Sequence, residues 1–293
     1  MASPLFRKSI LALAVLAAPH AIAETFHLTG NPTSISINWL TNLTITGEAS
    51  GTTSALSLSS YFGSPPIGNI TNSANLSTTA ENSNSLRIES HLGLFEADSL
   101  TNTGDIRSTG GNSSAIYAGG PFLGLAGVQI NGVFSNSGNL ESAGNFSAAV
   151  RLETFISLSG IVNTGTLNVS GEKSSGLICI SLCGVLGKLE NQGTIISKGS
   201  ESSAINFSKA TLLGASLINS GTLQSSGSNS TAVILGPEAG LFNQHSGRIL
   251  ASGIGSQAVH FTGAASDEQA HISQSGLISA EGSESIALYL ETP

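Results

Sequence analysis

Apolar and small side chains alternate with polar ones in short runs along this chain, and the runs recur. The pattern apolar–x–Asn–x–Gly stands at 100–104, 134–138, 161–165, 189–193 and 217–221. Variants occur at 70–74 (Ala for Gly) and 272–276 (Gln for Asn), and 241–247 is the same turn with two residues inserted. From Gly104 onward the glycines fall at 104, 138, 165, 193, 221, 247 and 276, steps of 34, 27, 28, 28, 26 and 29. A fixed period of this size marks a repeat architecture, so each residue is read first by its phase in the repeat.

Two residues after each of these glycines comes an aliphatic (Ile106, Leu140, Leu167, Ile195, Leu223, Ile249, Ile278). Two further on is a short side chain, as at Ser108, Ser142 and Ala251, and two more bring a second glycine, as at Gly110, Gly144 and Gly253. Period two is the mark of a strand with one buried face. After a polar turn comes a third short run with paired inward positions, among them Ile205/Phe207, Val233/Leu235 and Leu288/Leu290. Nine copies of this last strand are legible, and no helical stripe appears after residue 25. Three strands per repeat, stacked on identical phases, predict an all-β right-handed parallel β-helix of about nine coils with a ~28-residue repeat. Coils ~4.8 Å apart make a rod ~43 Å long. The glycines are expected where the coil bends, because glycine accepts positive φ. Asn72, Asn102, Asn136, Asn163, Asn191 and Asn219 share one phase and should stack as a hydrogen-bonded ladder.

The N-terminus adds an export signal. Arg7 and Lys8 precede an apolar run, and Ala21-Ile22-Ala23 is an Ala-x-Ala cleavage site. The expected organisation is a signal peptide over 1–23, an N-terminal capping segment over 24–39 and β-helix repeats over 40–293. Removing Arg7 and Lys8 leaves 10 − 2 = 8 basic residues against 18 acidic, a net charge of −10. That balance excludes a nucleic-acid binder, which needs a basic footprint.

Two cysteines, Cys179 and Cys183, stand four apart. In an extended strand they would lie ~13 Å from one another, beyond disulfide reach. A bridge therefore needs a tight turn at Ser181–Leu182. Cys179 has the inward phase, so the alternative is a buried thiol.

Candidate chemistry is sparse. There is no Gly-x-Ser-x-Gly elbow, and the histidines at 27, 91, 245, 260 and 271 fall at different phases with no metal-ligand spacing. Gly253-x-Gly255-x-x-Ala258 mimics a dinucleotide fingerprint but occupies a repeat turn, without the strand–helix context that motif needs. Glu48, Glu81, Glu172, Glu201 and Glu284 lie one or two residues past the turn glycine or its equivalent and are expected to line one edge of the rod. No catalytic residue, cofactor site or metal site is assigned, and the chain is expected not to be an enzyme. The step from Gly104 to Gly138 is about six residues too long, with the surplus in 119–132. Insertions in a solenoid map to surface loops that often bind. Phe122, Leu123 and Leu125 are therefore the candidate interaction residues.

The signal peptide followed by Asn-x-Gly-x-[Ile/Leu]-x-Ser-x-Gly…Ser-x-Ala-[Ile/Val]-x-apolar repeats, best seen at 189–207 and 217–235, resembles the passenger region of autotransporters of Gram-negative bacteria. The likeness covers about 40–293. It implies export across the inner membrane, display at the cell surface and a C-terminal outer-membrane β-barrel in the full-length protein. The barrel's strands do not occur in these 293 residues. The closely spaced cysteines also suit passengers, which cross the outer membrane largely unfolded. The function expected from the resemblance and the long regular surface is non-catalytic: adhesion to a surface receptor or neighbouring cells, or a structural stalk. The alternatives are a carbohydrate-active β-helix enzyme, either polysaccharide lyase or hydrolase, and a spacer within a longer autotransporter.

Overall fold

A computed structural model describes residues 23–36, 42–61, 67–120, 126–153, 156–180, 183–209, 216–236, 239–244, 246–262 and 271–291. Every strand pairing within it is parallel, and no helix occurs among the described residues. The chain winds into a parallel β-solenoid of about eight turns at ~28-residue spacing, close to the nine counted from the repeat. The signal segment lies outside the described residues except for Ala23. Strands Glu24–Gly30 and Thr33–Ser36 lay a rung onto Leu43–Gly51 and Ser54–Tyr61.

One coil shows how sequence makes structure. Strands Lys188–Asn191, Thr194–Ser197 and Ser203–Phe207 match the three expected runs. Leu189 pairs with Leu217, Ile195 with Leu223 and Ile205 with Val233 on the next coil, like over like. All six are buried. Burying one such aliphatic contributes about 1.5–3 kcal/mol, so each coil is held mainly by its inward row. In the last described coil the inward rows are less covered: Ile272 and Ile278 are only partly buried, and Leu288 and Leu290 are exposed.

The asparagine ladder is present and longer than expected. Each Nδ2 donates to the next Oδ1, from Asn72 through Asn102, Asn136, Asn163, Asn191 and Asn219 to Asn243, at 2.7–2.9 Å. Each Nδ2 also reaches a carbonyl in its own turn, as Asn102 does to Gly104 at 2.9 Å. The ladder begins where Ile45 stands in register with Asn72, leaving Asn72 Oδ1 unpaired. It ends at Gln274, whose amide turns back to Gly276. A second ladder runs beside the turn edge. The backbone N–H of Ser83, Ser113, Ser147, Ser174 and Ser202 each donates to the hydroxyl of the serine one coil on, at 3.0–3.2 Å. Its signal is the Ser of the Ser-x-Ala consensus.

Three expectations are corrected. The repeat glycines are required by close approach rather than by positive φ. A Cβ on Gly144, Gly171 or Gly227 would run into the carbonyl oxygen of the glycine one coil before it. Positive φ falls two residues later, on Asn82, Asn112, Phe146, Lys173, Glu201, Asn229, Gly255 and Glu284 in successive coils. Asn and Gly tolerate that conformation, whereas other residues pay about 1–2 kcal/mol.

The surplus at 119–132 is not all loop. Val128 and Ile130 belong to strand Ala126–Asn136, are buried, and pair with Phe95 and Ala97 on the preceding coil. Ile156–Asn163 and Cys183–Val185 extend this fourth short strand through two more coils. The register shift between Ile130 and Val133 absorbs part of the length instead. Phe122, Leu123 and Leu125 lie outside the described residues.

Four of the five glutamates share the turn edge, and Glu48 does not. Glu201 and Glu284 hold the left-handed position and Glu81 and Glu172 precede it. Glu48 sits elsewhere, on a strand opposite Asn75.

Cys179 and Cys183 form a disulfide with Cα atoms 6.1 Å apart. Both side chains are buried, so Cys179 keeps its inward phase and is bridged as well.

Candidate interaction surface

The exterior of the third-strand sheet carries a cluster of charged and aromatic side chains. Outward residues Arg87, Tyr117 and Arg151 stack in register on consecutive coils, and Glu89, Gly119 and Glu153 form the neighbouring row. Period two places Arg87 with Glu89, and Arg151 with Glu153, on the same face. Arg87 Nη2 lies 2.7 Å from Glu89, and Arg151 Nε donates to Glu153 at 3.1 Å. The Arg87 guanidinium stands 5.6 Å over the Tyr117 ring. Gly119 leaves room for that ring, since a Cβ there would meet Tyr117 Oη at 2.7 Å. Burial, then repulsion from Glu153, pushes the Tyr117 phenol above its ordinary value of 10.0, partly offset by the two arginines. The phenol is therefore a neutral hydrogen-bonding group at neutral pH. Repetition of Arg-x-Glu at 87–89 and 151–153 was the available sequence signal.

Chemically this is a braced, charge-compensated surface. Glu89 and Glu153 stand two rungs apart, about 10 Å, but each is engaged by its own guanidinium. Paired carboxylates suit positioning and recognition better than the acid–base exchange of glycoside hydrolysis.

The turn edge is the second surface. Phe146 is 58% exposed, and Lys173 Nζ stands 5.6 Å over its ring. Lys173 also lies 3.6 Å from both Glu172 and Glu201, so a cation interrupts the expected acidic edge. Asn112 joins the two surfaces: it donates to Asn82 at 2.7 Å and accepts from Arg151 Nη1 at 3.0 Å.

The described histidines remain apart. His27 contacts Thr46, His91 contacts Glu89, His260 lies by Glu291 and against Tyr289, and His271 lies against Phe242. No group of three metal-ligating side chains forms among the described residues. Gly255 occupies the left-handed position of its turn, so the fingerprint-like 253–258 stretch is a repeat turn.

The geometry defines a parallel β-solenoid repeat protein. Comparison with protein-family models, with curated proteins and with solved structures finds no match to the chain.

Proposed function

We propose that this chain is a non-catalytic, autotransporter-like passenger, exported by its N-terminal signal and displayed at the surface of a Gram-negative cell. There its flank contacts neighbouring cells or a surface receptor. The β-barrel that holds such passengers in the outer membrane belongs to the same proposal. The observation that carries the reading is the lateral surface. Parallel strands present outward residues in in-register rows such as Arg87–Tyr117–Arg151, and the turns stack likewise at Asn82, Asn112, Phe146 and Lys173. Rows of this kind offer many weak contacts along a length, which suits adhesion. The guanidinium pairing of Glu89 and Glu153 argues in the same direction.

The test is display of the chain on a non-adherent Gram-negative host. Increased cell aggregation or binding to a host-cell layer is expected. Product release from acidic or neutral polysaccharides by the purified protein would overturn the reading in favour of a lyase or hydrolase.

A further inference from the structure

Among the eight described turns that hold a left-handed residue at this position, seven have Asn, Gly or a charged residue, and the exception is Phe146. An exposed aromatic alone carries little meaning. A bulky residue held at φ 56° is a different matter, because Asn fits that position at Asn82, Asn112 and Asn229. Here the fold keeps a strained, 58% exposed ring where a relaxed polar residue fits. The position is fixed: the Phe146 N–H donates to the Glu172 carbonyl at 2.8 Å, and Asn145 Oδ1 accepts from the Glu172 N–H at 3.0 Å. The neighbours of the ring along the turn edge are polar: the backbone N–H of Asn112, on the preceding coil, donates to the Asn145 carbonyl, and Lys173 Nζ stands 5.6 Å over the ring while pairing with Glu172 and Glu201.

We propose that Phe146 is the stacking platform of a saccharide-binding site on the turn edge, with Asn112, Glu172 and Glu201 as its polar rim. This rests on the adhesive reading above and names its ligand class. A pyranose has a C–H face that packs on an aromatic ring and a belt of hydroxyls that pairs with amides and carboxylates. The edge offers the same two features at the same place. An apolar peptide side chain needs an enclosing pocket, and Phe146 stands on an open edge.

The experiment measures binding of the purified protein to an immobilised panel of neutral and N-acetylated hexose oligosaccharides, alongside thermal unfolding. The parent is expected to bind at least one member. Phe146→Asn is expected to weaken that binding at least tenfold while raising the melting midpoint by about 2–4 °C, through relief of strain. Phe146→Trp is expected to retain binding with no gain in midpoint. A parent that binds no member of the panel overturns the proposal. So does a Phe146→Asn variant that keeps its binding, or one that loses binding and stability together. Adhesion by the displayed parent without saccharide binding sinks this inference and leaves the adhesive reading standing. Saccharide binding without adhesion does the reverse.

Discussion

Asn163 donates from Nδ2 to Asn191 Oδ1 at 2.9 Å while the two backbones lie in register. One residue type thus bonds its own copy through both side chain and main chain, about 28 residues away. Stacked amides of this kind polarise one another in a low-dielectric interior.

The ladder therefore has a middle and an end of unequal worth. Asn163→Ala deprives Asn136 of an acceptor and Asn191 of a donor, and both are buried. Unpaired groups of that kind cost about 2–4 kcal/mol together. Asn72→Ala should cost about half as much, because Asn72 Oδ1 already lacks a partner opposite Ile45. Urea midpoints of the two variants check this, and equal losses would contradict the ladder account.

Gly171→Ala and Glu201→Asn should move stability in opposite directions. The first drives a methyl into the Gly144 carbonyl and is expected to cost several kcal/mol or prevent folding. The second relieves a left-handed φ of 51° and should gain about 1 kcal/mol. Loss of the exposed pair with Lys173 takes back only a few tenths. Thermal unfolding of both variants reads the signs directly.

The bridge between Cys179 and Cys183 closes a loop with a sequence separation of 4. Loop-closure arithmetic gives about 2 kcal/mol for so short a span. Replacing both cysteines by Ala should lower the unfolding midpoint while leaving the far-ultraviolet dichroism of the strands unchanged. A collapsed β spectrum would mean that the bridge holds the fold itself.

Tyr117 ties stability to alkaline pH. Its folded pKa is raised above 10.0 by burial and by Glu153. The folded state thus favours the neutral phenol. That preference is fully present below pH 10.0 and is lost as pH climbs through the higher folded value. Tyr117→Phe should flatten the fall in stability above pH 10.0. Ultraviolet titration of phenolate should show one tyrosine ionising late, and its absence would remove the basis for the effect.

Much of the fold was legible because period two and the ~28-residue period report burial directly. Ile195 and Ile205 could be placed in the core from their phase alone, and both are buried. The reason for the glycines was not legible. Close approach to a carbonyl and positive φ leave the same letter in a sequence, and only coordinates separate Gly171 from Gly255. Asn243 was missed as a ladder member because two inserted residues shift its glycine to 247, although the side chain stays in line. The fourth short strand at Val128 and Ile130 looked like insertion, since it occurs in only some coils. Of the surfaces, Arg-x-Glu at matching phases was readable in principle. Phe146 was not, because nothing in its local sequence reveals the left-handed backbone.

Strand pairing joins each coil only to its immediate neighbours. Ordering one more coil therefore requires closing a span of about 28 residues, an entropic cost of ~3 kcal/mol apart from a constant. The newly buried aliphatic row repays it at once, with no distant partner to be found first. Such a molecule forms by accretion. A half-ordered chain is a shorter rod, and its last rung, with unbonded backbone groups and an asparagine amide pointing onward, is the template for the next.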